Sequence, residues 1–308
     1  MAQKSDRPPL KSILRRYFII CIVLIGAGTA ILNSLVSVPG YAFIGSRSLS
    51  MGKHNQNTLY KKIVDAGLLS NLVFVLDPGS NQSYDGNTML YDLTGNGNHF
   101  QMTSPATFYG TRDGCSSNEY LLFNGVQYLQ FAGTSYSWVN PFHKLNGAFT
   151  IMLVMRHNSF GVRTEFFSSR NSTSTAGVLY WHPAGESMTA AGFTGTSGGI
   201  GAEPDSGSYY ENTDTIIISS HVMSSSSPSP ASHRVRISSG YYTYTTVTTH
   251  YPSTSDTDLA PTLLARSGGL YAVPANFRLY GVAIWSRELS STESSNLRTA
   301  LISRFSFE

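Results

Sequence analysis

The sequence has little charge. Only 13% of its 308 residues are Asp, Glu, Lys or Arg, whereas glycine occurs 28 times and tyrosine 18 times. A scarcity of charge of this kind excludes a long coiled coil or an extended helical protein, because such chains are rich in Glu, Lys and Arg. Abundant Gly, Ser, Thr, Asn and Tyr indicate a β-rich protein with many turns and an uncharged polar exterior.

Cysteine is also scarce. Cys21 lies in a hydrophobic run and Cys115 in a Gly/Ser-rich stretch, so an intrachain disulfide between them is not expected. Secreted domains often depend on disulfides. The sequence therefore favours assembly in a reducing cytosol, as for a virion protein, over export through an oxidising compartment.

The main body of the chain lacks a surplus of basic residues. The net charge is +3, but residues 1–16 contain five basic residues and one acidic residue, which leaves the remainder with one net negative charge. Binding to a nucleic-acid backbone requires clustered Lys and Arg. We therefore expect a basic tail over residues 1–16 and no nucleic-acid partner.

A hydrophobic segment follows over residues 17–38, and its central part carries no charge. As a helix it would be about 33 Å long, close to the thickness of a bilayer core. The preceding basic residues predict a single-pass anchor with the amino terminus inside and the large domain outside, on a membrane or a virion surface. Two alternatives remain open. Gly40-Tyr41-Ala42 would suit cleavage of a signal peptide, and Gly26, Ala27 and Gly28 would suit a helix that docks in a larger assembly.

Residues 39–66 are predicted to form a polar linker that contains a short helix, with Leu59, Ile63 and Val64 on its apolar face. Beyond it, about a dozen short apolar runs alternate with Gly, Pro and Ser clusters. This pattern predicts an all-β antiparallel sandwich over residues 67–308. The hydrophobic segment would precede the sandwich as an amino-terminal helix.

Four motifs occur in an order that resembles a known family. They are the strand Leu72–Leu76 followed by the turn from Tyr91 to His99, the hairpin Phe123-Asn124-Gly125, the strand starting at Phe149, and the strand from Phe277 to Trp285 followed by Ser286-Arg287-Glu288-Leu289-Ser290. Together they resemble laminin-G-like domains of the concanavalin A-like lectin/glucanase superfamily over residues 67–304. The resemblance implies a jelly roll in which the last strand returns beside the first and a short helix, capped at Ser290 or Ser291, closes the sandwich.

The chain departs from the enzymes of this superfamily. Retaining glucanases place alternate carboxylates along one strand. The nearest match here is Glu203-Pro204-Asp205, followed by Ser206-Gly207-Ser208, in which serine replaces the acid and Pro204 disfavours a central strand. The histidines are dispersed without ligand spacing, and no nucleophile elbow is present. We expect no enzymatic activity, and a glycoside hydrolase is the disfavoured alternative.

Calcium is the metal that the resemblance implies. Asp77, Asp85, Asp92 and Asn96 are the candidate ligands. They do not follow a calcium-loop spacing, so turn-forming roles are the preferred interpretation and no cofactor is required.

Glycan binding requires exposed aromatic rings that stack on sugar faces. The candidates share a predicted position in or near loops, and they are Tyr136, Trp138, Tyr180, Trp181, Tyr209, Tyr210 and Tyr271. Trp285 and Phe149 are instead predicted to be core residues.

The first hypothesis for function is a non-catalytic surface-display protein, a virion structural component whose lectin-like sandwich binds a host glycan or receptor. The alternative is a purely structural capsid or envelope component that contacts other virion proteins. The sequence leaves open whether the chain forms a homo-oligomer.

Overall fold

The chain separates into two units, Met1–Ser50 and Met51–Glu308. A computed structural model describes part of the second, namely residues 57–112, 118–159, 163–170, 176–182, 191–193, 212–222, 231–237, 240–246 and 253–307. Only the backbone is described for residues 181–182, 191–193, 231–237 and 240–246.

The described residues form fifteen strands, two α-helices and a 3-10 helix over Ser137–His143. The helices are α1 (Leu59–Asp65) and α2 (Ser291–Phe305). The strands are β1 (Leu72–Leu76), β2 (Met89–Leu90), β3 (Phe100–Met102), β4 (Thr107–Tyr109), β5 (Tyr120–Asn124), β6 (Leu129–Phe131), β7 (Ala148–Arg156), β8 (Thr164–Ser168), β9 (Val178–His182), β10 (Ala191–Phe193), β11 (Asp214–Val222), β12 (Ala231–Ile237), β13 (Gly240–Thr246), β14 (Thr262–Leu263) and β15 (Ala275–Trp285).

Sheet A has the strand order β13-β12-β11-β7-β15-β5-β4, and β1 also pairs with β15. On one edge β15 pairs with β7, and on the other it pairs with β5 along its first half and with β1 along its second half. Leu72 is the register partner of Trp285. The prediction that the first and last strands of the sandwich lie side by side is therefore confirmed.

Sheet B has the order β10-β9-β8-β14-β6-β3-β2, and its strand pairs are antiparallel. The inward faces of the two sheets share one apolar cluster, which includes Phe149 and Ile151 from sheet A and Phe167 and Leu263 from sheet B. The described residues thus confirm an all-β antiparallel sandwich.

The outer face of sheet A is apolar as well, where α1 and α2 pack on it. Along β7, Ile151 and Leu153 belong to the core between the sheets, whereas Met152 and Val154 belong to a second core beneath the helices. Burial on both faces explains why β7 and β15 are almost continuously apolar in sequence, since an exposed face would carry polar residues at alternate positions. Both helices were predicted from the sequence, but their packing on the outer face of sheet A was not.

Helix α2 begins at Ser290, one of its two predicted caps, and α1 is capped by Thr58, which was not predicted as a cap. The Thr58 hydroxyl accepts a hydrogen bond from the Lys61 amide, at 3.2 Å. Ser290 and Glu293 form a complete capping box, in which each side chain accepts from the other's backbone amide. The Arg287 guanidinium beside Glu293 lowers the pKa of that carboxyl to about 2.

The turn that connects β2 to β3 attaches to β1 through its polar side chains. Asp92 Oδ1 accepts a hydrogen bond from the Val75 amide at 3.1 Å, and the side-chain amides of Asn96 and Asn98 donate to the Val73 carbonyl at 3.0 and 2.9 Å. Gly95 and Gly97 have φ values of +86° and +77°, which residues other than glycine adopt at a cost. The motif therefore folds as a turn that satisfies backbone groups of β1.

The segment 17–38 lies outside the described residues. Within the described ranges, no helix is both long enough and apolar enough to cross a bilayer. The role of residues 17–38 as an anchor, a signal peptide or a docking helix stays a prediction, as does the basic tail over residues 1–16.

We expect the protein to lose stability as the pH falls below about 6.5. His143 is fully buried, its Nε2 donates to the Ser255 carbonyl over 3.1 Å, and burial lowers the pKa of its imidazole. Between the lowered folded pKa and the ordinary value of about 6.5, the unfolded chain binds more protons, so the free energy of unfolding decreases with decreasing pH. Urea denaturation at pH 7.5 and 5.0 measures the effect, and His143→Gln should show a smaller difference between the two values. An unchanged difference would contradict this assignment.

Candidate functional site

A cleft of about 300 Å³ opens on the outer face of sheet A, beyond the part covered by the helices. Residues from β4, β5, β7 and β15 form it, together with the chain just after β7 and just before β11. The lining residues are Tyr109, Tyr120, Leu122, Arg156, Asn158, Asn212, Asn276 and Arg278. This volume lies at the lower end of the range for small-molecule sites.

Two tyrosines form an aromatic wall of the cleft. Tyr109 and Tyr120 are register partners on β4 and β5, and their rings stack with centroids 5.0 Å apart and planes inclined by 17°. Tyr109 is 45% exposed. The partner ring supports one face of Tyr109, so the residue presents an ordered aromatic surface to solvent.

Two arginines lie beside this wall on adjacent central strands. The Arg278 guanidinium carbon lies 4.6 Å from the centre of the Tyr120 ring, a geometry that cation–π attraction favours. Arg156 and Arg278 are register partners. A guanidinium presents five N–H donors and remains charged throughout the physiological pH range.

Tyr280 belongs to the core beneath the helices and contacts the cleft residue Tyr120. Its hydroxyl donates to Asp214 Oδ1 at 2.7 Å, and Asp214 Oδ2 lies 3.9 Å from Arg156 Nη1. Burial, together with the neighbouring Asp214 carboxylate, raises the pKa of the Tyr280 hydroxyl, which keeps it a donor. The Tyr280 ring contacts Tyr120 at 5.2 Å and Phe307 at 5.2 Å.

Three asparagines complete the rim. Asn212 and Asn276 are exposed and hold φ values of +62° and +65°, a conformation that asparagine tolerates better than most residues. The side-chain oxygen of Asn158 is buried and has no hydrogen-bond partner among the described residues. Buried polar atoms are usually satisfied, so a ligand that this oxygen reached by a turn of the Asn158 side chain would supply its missing donor.

The cleft therefore combines an aromatic face, charged donors and amide groups. A pyranose has apolar C–H faces that stack on aromatic rings and hydroxyls that exchange hydrogen bonds with amides and guanidinium groups. The geometry suits a saccharide better than an apolar ligand, because Leu122 is the single aliphatic side chain among the lining residues described above.

Three of the predicted glycan-binding aromatics have their ring or hydroxyl engaged within the protein. Tyr180 is 2% exposed in β9 and contributes to the core between the sheets, so its predicted loop position is corrected. Trp138 packs its ring against the same core, with centroids 5.8 Å from both Phe74 and Phe142. The Tyr136 hydroxyl donates to the Asp258 carbonyl at 3.1 Å.

Tyr271 is the predicted aromatic that the structure places at the surface, 44% exposed. The guanidinium carbons of Arg163 and Arg266 lie 4.9 and 4.7 Å from its ring centre, and both arginines pair with the buried Glu165. Tyr209 and Tyr210 lie outside the described residues, as does the side chain of Trp181.

The four candidate calcium ligands are engaged in separate hydrogen-bond networks. Asp77 pairs with Arg304, Asp85 accepts from the Asn87 and Met89 amides, and Asp92 and Asn96 bond to the backbone of β1 or of their own turn. Within the described ranges, no group of three or more His, Cys, Asp or Glu side chains is placed to hold a metal ion. The turn-forming interpretation describes the contacts of Asp85, Asp92 and Asn96, and a calcium site at these residues stays a prediction.

Sequence reasoning missed the cleft because its residues come from five separate parts of the chain. One signal was present. Arg156 and Arg278 end or interrupt long apolar strands, where a charged residue on a central strand is unusual. The Tyr109–Tyr120 pair required knowledge of the register between β4 and β5, and β4 has only three residues.

No protein-family model matches the chain, and no curated protein sequence matches it. Among solved structures, it is similar to the binding domain of botulinum neurotoxin DC in complex with SialylT, with a TM-score of 0.49, 10% identity, and coverage of 76% of this chain and 52% of the toxin chain. Domain 4 of AbnA, an extracellular arabinanase from Geobacillus stearothermophilus, matches with a TM-score of 0.49 and 12% identity, and the match covers 74% of this chain and 98% of that domain. Trypanosoma rangeli sialidase matches with a TM-score of 0.46 and 14% identity, and the match covers 76% of this chain and 33% of the sialidase. At these TM-scores the similarities do not bear on what the chain binds.

Proposed function

We propose that this protein binds carbohydrate, without cleaving it, through the cleft formed by Tyr109, Tyr120, Arg156 and Arg278. The observation that carries the proposal is the stacked tyrosine pair beside two guanidinium groups and a buried, unsatisfied amide oxygen. The motif order described above supports a laminin-G-like jelly roll as the finer identity of the sandwich.

We assign the cleft a non-catalytic role because hydrolysis of glycosidic bonds normally requires two carboxylates that flank the bond. In the described part of the cleft, Asp214 is the one carboxylate in contact with a lining residue, and it already accepts a hydrogen bond from Tyr280. Glu203 and Asp205 lie outside the described residues. Cleavage of a polysaccharide that is lost in Glu203→Gln would contradict the non-catalytic assignment.

The proposed setting is display on a virion surface or a membrane, with residues 17–38 as the anchor or docking helix. The basic tail before that segment and the near-neutral body after it support an orientation with the sandwich outside. The sandwich would then present the cleft to a host glycan.

Replacing Tyr109 tests the cleft. We expect Tyr109→Ala to weaken glycan binding by the full-length protein about tenfold, because it removes the exposed stacking surface and one buried aromatic contact is worth about 1.4 kcal/mol. A glycan array identifies the ligand, and titration calorimetry measures the change in affinity.

Tyr271→Ala is the matched control, since Tyr271 is exposed to the same extent but lies beside Glu165 of sheet B. It should leave the affinity unchanged. A loss in Tyr271→Ala and none in Tyr109→Ala would move the site to Tyr271, and no glycan binding by the unmodified protein would refute the proposed function.

A further inference from the structure

Two positive charges face each other across the centre of sheet A. Arg156 on β7 and Arg278 on β15 occupy directly opposed register positions and both line the cleft. Like charges directly opposite on neighbouring strands destabilise a sheet. A position that costs stability and opens into a cleft points to a ligand that offsets the repulsion.

A single carboxylate faces this pair among the described residues. Asp214 is the register partner of Arg156 on the opposite side. One of its oxygens is taken by the Tyr280 hydroxyl, and the other is 3.9 Å from Arg156, at the long limit for an ion pair. Arg278 forms no salt bridge with any described residue; its guanidinium lies over the Tyr120 ring and donates a hydrogen bond to the Tyr280 hydroxyl. The cleft therefore carries one positive charge that Asp214 does not match.

The surrounding groups define the rest of the ligand. The unsatisfied Asn158 oxygen requires an O–H or N–H donor. Tyr109 offers a stacking face. A bare inorganic anion would meet the arginines but would leave both the Asn158 oxygen and the ring without contacts.

We propose that the cleft selects acidic sugars, in which a carboxylate or sulfate group lies against Arg156 and Arg278 while the sugar ring stacks on Tyr109 and a hydroxyl donates to Asn158. The inference rests on the proposed carbohydrate binding and names its ligand class. A neutral sugar would make the stacking contact and the hydroxyl bond but leave the paired guanidinium groups without a counter-charge. Charge-assisted hydrogen bonds are roughly twice as strong as neutral ones.

The test compares acidic glycans with their neutral parents on the full-length protein. The probes are 3′-sialyllactose and 3′-sulfolactose against lactose, and trigalacturonate against its methyl ester, so that carboxylate and sulfate are separate arms. We expect at least one acidic probe to bind about tenfold more tightly than its neutral parent, a difference that corresponds to about 1.4 kcal/mol. The preference should decrease with added salt.

Variants of the arginines assign that preference to the cleft. Arg278→Gln and Arg156→Gln should each reduce the acidic-to-neutral ratio about threefold, because the two guanidinium groups together account for the tenfold preference. Arg278→Lys keeps the positive charge and should retain the preference for acidic probes. It replaces Arg278→Gln in the test if the glutamine variant does not fold. Lys61→Gln removes one positive charge from the exposed side of α1 and should have no effect.

The outcomes separate the two proposals. Equal affinity for acidic and neutral members of every pair overturns the acidic selectivity and leaves carbohydrate binding standing. An acidic preference that survives both Arg156→Gln and Arg278→Gln also overturns it, because the anion would then bind elsewhere. If no glycan, acidic or neutral, binds to the protein, carbohydrate binding itself is refuted.

Discussion

Arg304→Met is expected to lower the free energy of unfolding by about 3–5 kcal/mol, since it removes one partner of a buried ion pair. Arg304 and Asp77 both have side chains with no exposed surface, and two parallel hydrogen bonds of 2.6 and 2.8 Å join them. Asp77 Oδ2 also accepts from the Leu59 amide at 2.8 Å. The pair thus connects α2, the residue that follows β1, and the first turn of α1. Urea denaturation at pH 7 measures the loss.

Two comparisons show whether the loss comes from the unpaired charge. Arg304→Met combined with Asp77→Asn should be more stable than Arg304→Met alone, because no buried carboxylate remains without its cation. Lys61→Met breaks the exposed pair with Asp65 and should cost less than about 1 kcal/mol. If Arg304→Met cost no more than Lys61→Met, the pair would not be what holds α2 on the sheet.

Trp285→Ala should destabilise the protein by a similar amount, about 3–5 kcal/mol, which is typical of a fully buried aromatic side chain. Trp285 has no exposed surface, lies in the core between sheet A and the helices, and donates from its indole nitrogen to the Leu68 carbonyl at 2.7 Å. The alanine variant leaves both a cavity and an unsatisfied carbonyl. Thermal and urea unfolding would record the change.

Trp285→Phe separates these two effects. It keeps most of the buried volume and loses the hydrogen bond, so we expect a cost of about 1–3 kcal/mol from the orphaned carbonyl and a small change in packing. Equal losses for phenylalanine and alanine would mean that the hydrogen bond, rather than the filled volume, accounts for the stability.

The parts of the fold that could be predicted are those in which local pattern and burial agree. The strands β7, β11 and β15 are long and apolar. Their sequence patterns predict strands over Phe149–Met155, Thr215–Val222 and Phe277–Trp285, which differ from the observed bounds by at most two residues. The helix that follows β15 was predicted together with a cap at Ser290 or Ser291, and Ser290 is the cap in the structure. Strands β2 and β3 have two and three residues, too few for an alternation to be recognised.

The parts of the fold that could not be predicted depend on which faces of the strands and helices pack against each other. Tyr180 resembles a loop aromatic in sequence, but it shares a strand face with Val178 and enters the core. The second core under the helices has a sequence signal, namely apolar residues at alternate positions such as Met152 and Ala283, yet two-sided burial is equally compatible with other architectures. The cleft depends on the register between strands that are distant in sequence.

The position of β15 has a consequence for how the protein reaches its native state. This strand is the last of the described strands in the chain, yet it lies between β7 on one side and β1 and β5 on the other. Contacts between segments this far apart in sequence close slowly, since loop-closure entropy is lost before they form. A nascent chain on the ribosome would therefore hold β1, β5 and β7 without their common neighbour until residue 285 had emerged. Truncation before residue 275 would leave sheet A divided and exposed to aggregation.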